Sequence, residues 1–220
     1  MLLAHTGLSA WAKGSLYQFK HLSVFSIDVF KLRQMFEIIG HLTPKNQTVI
    51  ETKAQKLIKK MKLDVSSYAP GRYRIWLFHE ANLRNPPTVK KAYFDNFWWR
   101  LSQKVYPGCQ IGLLTFGDEA DSIKSDARIS WHRDHSFALP IARGINFGAK
   151  AKFGYDFHRQ SGQKKTINLD SGDALKFDCK HLHSVISHEP GRFSLILWKV
   201  RQDGRYPGLK LCPKIASLLA

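Results

Sequence analysis

Gly172-Asp173-Ala174-Leu175-Lys176-Phe177-Asp178-Cys179-Lys180-His181-Leu182-His183-Ser184-Val185, followed shortly by Pro190-Gly191-Arg192-Phe193-Ser194-Leu195-Ile196-Leu197-Trp198, reads as turn, strand, histidine-bearing strand, tight turn and strand. Gly and Pro-Gly punctuate runs too short for helices, and the runs are rich in apolar residues. Upstream the same texture continues. Ile111–Phe116, Ala127–Trp131, Gly144–Phe147, Lys152–Phe157, Thr166–Leu169, Ala174–Phe177, His183–Ile186 and Arg192–Val200 are short runs separated by Gly, Asp, Ser and Lys. Eight short strands with turn signals predict a β-sandwich or jelly roll.

Before Gly108 the pattern is helical. Val29, Phe30, Leu32, Met35, Phe36 and Ile39 recur at helical spacing and predict a helix over 28–40. A second is expected over 48–63, with Leu57, Ile58 and Met61 on one side and a run of lysines, a solvated face, around the rest. A third is expected over 88–105, ended by Pro107-Gly108, with Trp98 and Trp99 in the core. Between the last two, 69–87 reads as strand and loop. Helices first and a β-core after favour an α+β fold: a jelly-roll core with N-terminal helices packed on it. The expected division is an N-terminal helical and strand/loop extension at 1–87, a core with its supporting helix at 88–205 and a tail at 206–220.

Composition sets outer bounds. Of 220 residues, 44% are hydrophobic, enough for one domain with a substantial core. The net charge of +17 favours polyanions, so nucleic acid is a candidate partner. The three cysteines are scattered and form neither a disulfide framework nor a C-x-x-C zinc pattern, which suits a reducing compartment. No apolar run reaches the length of a membrane span, and residues 1–27 lack the compact apolar stretch of a secretory signal. A soluble, intracellular, cytoplasmic monomer without membrane contact is the expectation.

The chemistry is concentrated in Ile129-Ser130-Trp131-His132-Arg133-Asp134. On a strand, residues i and i+2 project from one face, so His132 and Asp134 can converge on one metal ion. A histidine from a later strand would complete a facial triad, which leaves three adjacent positions of an octahedral ion open. His183 and His181 both compete for that place, with His183 better aligned to the preceding strand. A zinc set of His132, His135, His181 and His183 is also conceivable but leaves Asp134 and Arg192-x-Ser194 unexplained. Arg192, on the next strand across Pro190-Gly191, can grip a carboxylate with both prongs of its guanidinium, and Ser194 shares its face.

An H-x-D pair, a G-D-A-L-x-F strand, a distal histidine and R-x-S together resemble the 2-oxoglutarate/iron(II) dioxygenase superfamily over roughly 109–201. The resemblance implies a double-stranded β-helix fold, a form of jelly roll, and an oxidoreductase. It implies iron(II) held by His132, Asp134 and His183, and 2-oxoglutarate held by Arg192 and Ser194, with dioxygen as the other partner. No side chain is then needed as a catalytic acid or base beyond the metal site. Within the superfamily the chain is most similar to AlkB-like oxygenases, through 110–116, 127–134 and the hairpin at 144–157. It departs from them at three places: Leu114 and Phe116 stand where an Asn-x-Tyr pair is usual, Trp198 where a second arginine is, and Ser136 where an acidic residue is. The iron site survives these changes; the nucleic-acid dealkylase reading is weakened by them. Arg72-Tyr73-Arg74-Ile75-Trp76-Leu77-Phe78 fits either a base-stacking surface or an ordinary strand over the core, and with Arg143, Lys150 and Lys152 it could border the substrate mouth. The alternative to an oxygenase is a basic nucleic-acid-binding module on the same fold, its metal site structural or inactive.

Overall fold

The computed structural model describes residues 36–64, 66–69, 71–82, 88–117, 129–157, 164–201 and 203. In chain order these form β1 (Phe36–His41), α1 (Pro44–Gln55), a 3₁₀ turn at Ile58–Lys60, β2 (Lys62–Leu63), β3 (Tyr73–Leu77), β4 (His79–Asn82), β5 (Thr88–Lys91) and α2 (Asn96–Val105). A run of strands follows: β6 (Ile111–Gly117), β7 (Ile129–His132), β8 (Ala138–Phe147), β9 (Ala151–Asp156), β10 (Lys164–Leu169), β11 (Asp173–Asp178), β12 (His183–His188) and β13 (Arg192–Val200). Each of the eight runs expected as strands contains one, with residues 127 and 128 outside the described residues.

From β6 onward the chain passes back and forth between two antiparallel sheets. The major sheet has the order β1-β11-β8-β13-β6-β3-β2 and the minor sheet β10-β9-β12-β7. This winding is the double-stranded β-helix, or jelly roll. One apolar cluster fills the space between the sheets and includes Leu113, Phe153, Tyr155, Leu175, Phe177, Val185 and Trp198. A second lies on the outer face of the major sheet, where Leu114, Phe147, Phe193, Leu195 and Leu197 meet Ile50 and Ala54 of α1 and Trp98, Trp99 and Leu101 of α2. Strand alternation sorts β13 between them: Phe193, Leu195 and Leu197 face the helices, while Arg192, Ser194, Ile196 and Trp198 face inward. The helices therefore pack on the β-core, as expected.

The boundaries before β6 differ from the sequence expectation. Residues 36–41 are a strand, not the end of a helix; 28–35 lie outside the described residues. The edge of β11 supplies the reason: Phe36 pairs with Phe177 and Ile38 with Leu175, which satisfies backbone groups that a lone helix turn would leave to water. The expected 48–63 helix begins earlier, at Pro44, where Thr43 Oγ1 accepts from the Asn46 N–H and proline occupies the first turn. It ends at Gln55, and Lys62–Leu63 pair with β3. The expected 88–105 helix begins only at Asn96. Asp95 caps it, its Oδ1 accepting from the N–H of Phe97 at 2.8 Å and of Trp98 at 3.4 Å. Residues 88–91 instead form a hairpin strand with β4. Trp98 and Trp99 are buried, as read. The stretch expected as an extension thus supplies β1, β2 and β3 to the major sheet. Residues 1–27 and 206–220, His158 and Cys212 lie outside the described residues. No helix among the described residues is long and apolar enough to cross a membrane.

Candidate metal centre and its cavity

His132 ends β7 and His183 begins β12, and the two residues are directly paired across the minor sheet. Their rings lie 4.4 Å apart, centroid to centroid. Asp134 follows β7 and is anchored by its own N–H, which donates to the Cys179 carbonyl at 2.9 Å. Its Oδ1 lies 3.3 Å from His183 Nε2 and 3.6 Å from His132 Nε2. One ligand atom from each of the three residues lies within 4.8 Å of the others.

The tautomers follow from the neighbours. Nδ1 of His183 faces the His181 carbonyl at 2.9 Å, and Nδ1 of His132 faces the Ser130 carbonyl at 2.7 Å. A carbonyl only accepts, so each Nδ1 carries its proton and donates. In a neutral imidazole the lone pair is then on Nε2. Two such lone pairs and a carboxylate converge with nothing but acceptors between them, which is a site for a cation. Burial would raise the Asp134 carboxyl, but a proton on Nε2 of His183 or His132, standing where a cation would, outweighs it and holds the group well below the usual carboxylate range. Asp134 Oδ2 is also bound, accepting from the Trp198 indole Nε1–H at 2.7 Å.

His181 is turned elsewhere. Its Nδ1 lies 2.9 Å from the Asp156 carbonyl, and its ring stacks on Tyr155. His135 stacks on Phe137 at 5.0 Å. The four-histidine zinc set is therefore not assembled, and the distal histidine beside Asp134 is His183.

The triad lies in a cavity of about 410 Å³ between the sheets, and Arg192, Ser194, Asn146 and Thr115 also line it. Gly191 adopts φ +76°, a conformation that favours glycine, and makes the tight turn that sets Arg192 at the start of β13. The Arg192 side chain is buried, and its Nε donates to Asn146 Oδ1 at 2.7 Å. The Asn146 amide orientation is settled by its Nδ2, which donates to the carbonyls of Ala149 and Asp170 at 2.9 and 3.0 Å. Among the described residues no carboxylate pairs with Arg192. Burial, with Arg72 nearby, pushes its guanidinium down to about 10, which still leaves it charged at neutral pH. Ser194 Oγ and Thr115 Oγ1 are hydrogen-bonded at 2.8 Å. An uncompensated buried guanidinium beside two hydroxyls is a receptor for a carboxylate.

Asn146 and Thr115 were not singled out in the sequence, although each is a polar residue at an inward position of an apolar strand. Leu114 and Phe116 take no part in the cavity. Both face outward into the helix-side cluster, and the inward pair on that strand is Leu113 and Thr115. Arg143 does not border the mouth: it packs on Tyr106 and donates to the Val105 carbonyl at 3.0 Å. Arg72 and Arg74 do line the cavity, whereas Tyr73 and Ile75 pack outward, Trp76 faces the inner cluster and Phe78 is buried, so Tyr73–Leu77 is a strand over the core.

Among solved structures, OsALKBH1 matches with a TM-score of 0.56 at 14% identity, over 71% of this chain and 94% of that one. An oxidoreductase of the 2OG-Fe(II) oxygenase family from Burkholderia pseudomallei matches with a TM-score of 0.55 at 12% identity, over 86% and 98%. A Pseudomonas putida prolyl-4-hydroxylase matches with 0.52 at 11%, over 76% and 93%. No protein-family model and no curated protein matches the chain. The two facing sheets, the helices behind the major sheet and these likenesses agree: the chain has the jelly-roll fold of the 2-oxoglutarate/iron(II) oxygenases, AlkB homologues among them.

Proposed function

We propose that the chain is an AlkB-like, non-haem iron(II) and 2-oxoglutarate-dependent dioxygenase. The observation that carries this reading is one cavity holding two opposite recognition elements: three converging acceptors from His132, Asp134 and His183, and an uncompensated guanidinium at Arg192. The first fits a divalent cation and the second the far carboxylate of a dicarboxylate. Iron(II) with 2-oxoglutarate would supply oxidation of a substrate C–H bond by dioxygen, one oxygen atom going to the substrate and the other to succinate as carbon dioxide leaves. The chain's own residues orient and shield. Asn146 aims Arg192, Ser194 and Thr115 offer hydroxyls to the same carboxylate, and Trp198 holds Asp134. The apolar walls, Leu113, Phe153, Leu175 and Phe177 among them, keep the cavity dry, which strengthens each charged contact.

The test is an anaerobic titration of iron(II)-loaded protein with 2-oxoglutarate. A visible charge-transfer band that saturates at one equivalent, followed by succinate formation on admitting air, is expected. Metal bound without any response to 2-oxoglutarate would instead favour the alternative, a basic nucleic-acid-binding module with a structural metal.

A further inference from the structure

Strand β3 carries an arrangement that the metal centre and the co-substrate clamp leave unused. Its inward positions include Arg74 and Trp76, and Arg72 precedes it on the same face. Arginine on the inner face of a sandwich is costly unless something compensates its charge. A single carboxylate, Asp64, does so for both. Asp64 Oδ2 accepts from Arg72 Nε at 2.8 Å, Oδ1 lies 3.5 Å from Arg74 Nε, and the Ser66 N–H donates to Oδ1 at 3.0 Å. Both guanidinium groups are thus braced through Nε. Among the described residues, neither has another ion-pair or hydrogen-bond partner, so the terminal amino groups are left to the cavity. Arg133, exposed, lines the same cavity.

Charge balance gives this a direction. Arg72, Arg74 and Arg192 with a divalent ion carry five positive charges, and Asp64 and Asp134 carry two negative ones. A dianionic 2-oxoglutarate neutralises two of the remaining three. The loaded cavity stays positive by one charge before the exposed Arg133 is counted. A low-dielectric cavity that keeps net charge attracts a counter-charge.

The geometry points to a second oxyanion site on the β3 wall of the cavity, formed by the terminal amino groups of Arg72 and Arg74, which takes a carboxylate or phosphate group of the substrate to be oxidised. The inference rests on the oxygenase reading and adds a substrate class to it: a compact molecule bearing one such group. Asp64 is a positioning residue here. It accepts from Arg72 Nε and lies beside Arg74 Nε, so it holds the two guanidinium groups against one carboxylate and leaves their terminal amino groups without a protein partner among the described residues.

The experiment uses the full chain loaded with manganese(II) and saturating 2-oxoglutarate, with acetate and inorganic phosphate as separate probes and sodium chloride at matched ionic strength as the control. The readout is the unfolding temperature. Binding of 2-oxoglutarate is measured first and independently by calorimetry, so its absence would count against the oxygenase reading itself. At least one oxyanion should raise the unfolding temperature beyond chloride, and which one does so separates a carboxylate from a phosphate substrate. Arg74→Met should lose that increment while binding 2-oxoglutarate normally, and Arg74→Lys should retain part of it, because it keeps the charge but not the fork. Arg192→Met should retain the increment. If neither oxyanion exceeds chloride, or if the increment depends on Arg192 and not on Arg74, there is no second site.

Discussion

Asp134 has one fixed side-chain donor, the Trp198 indole Nε1–H on Oδ2, which comes from a strand 64 residues away, while Oδ1 faces the Nε2 atoms of His132 and His183. Trp198 faces inward from β13, and its indole N–H fixes the carboxylate. Trp198→Phe keeps a ring against Trp76 and Phe137 but removes the donor. Metal affinity should fall about 10- to 100-fold, measured by manganese(II) titration, with little change in unfolding temperature; an unchanged affinity would make the contact one of packing only. Arg192→Ala should weaken 2-oxoglutarate binding by about 2–4 kcal/mol while metal binding stays close to normal, because the lost contact is a charge-assisted pair in a buried pocket. Calorimetry with each ligand separates the two effects. Asp64 gives a pH signature. Burial would raise its carboxyl, but Arg72, the Ser66 N–H and Arg74 outweigh it and hold it below its ordinary 3.8. Its stabilising contribution is therefore present at any pH above that value and is lost as pH falls through the lower, folded-state value. Asp64→Asn should be less stable than the parent by about 2–3 kcal/mol at neutral pH, with the gap closing in acid. Denaturant titrations at a series of pH values check this, and a gap independent of pH would refute the charge argument.

At the scale of elements, the caps decide where helices start and the sheets decide what the flanking residues become. Asp95 ends the hairpin region and starts α2, whose Trp98, Trp99 and Leu101 cover the outer face of the major sheet. Asp95→Ala should cost about 1 kcal/mol and lower the unfolding temperature by about 2–4 °C, without altering metal or 2-oxoglutarate binding, because α2 is separated from the cavity by the major sheet. Thermal unfolding alongside the two ligand titrations tests both halves. Edge strand β1 shows the opposite influence. The spacing of Phe36 and Ile39 fits a helix and that of Phe36 and Ile38 a strand, and pairing with β11 settles it.

For the whole molecule, the excess of 34 Lys and Arg over 17 Asp and Glu works at two ranges. Inside the cavity it is specific, as unpaired guanidinium ends. Outside it is diffuse, with exposed lysines along α1 and the turn after it, where Lys53 and Lys60 also rest on the rings of Phe97 and Tyr93. Binding to short DNA or RNA strands should therefore be independent of sequence and fall steeply with salt, as counterion release requires. A salt titration against strands of several sequences is the measurement. A sequence preference that persists at high salt, or turnover of one methylated base, would show a base-reading pocket instead.

The β-core was legible because its information is local. Inward and outward positions alternate with period two, and glycine and proline mark the turns, so the eight strands, the His132–Asp134 pair and the turn before Arg192 are all written within a few residues of themselves. The helix limits were less so, since 88–91 and 36–41 depend on distant strand partners. The choice between His181 and His183 needed the register of β12 against β7. The contacts that tune the site were legible least of all. Asn146 reaches Arg192 across 46 residues, and Trp198 reaches Asp134 from the far end of β13. The inward turn of Arg72 and Arg74 depends on Asp64, a carboxylate that no spacing rule singles out. Periodicity reports which face a side chain takes; only the packing of one sheet against the other decides what it meets there.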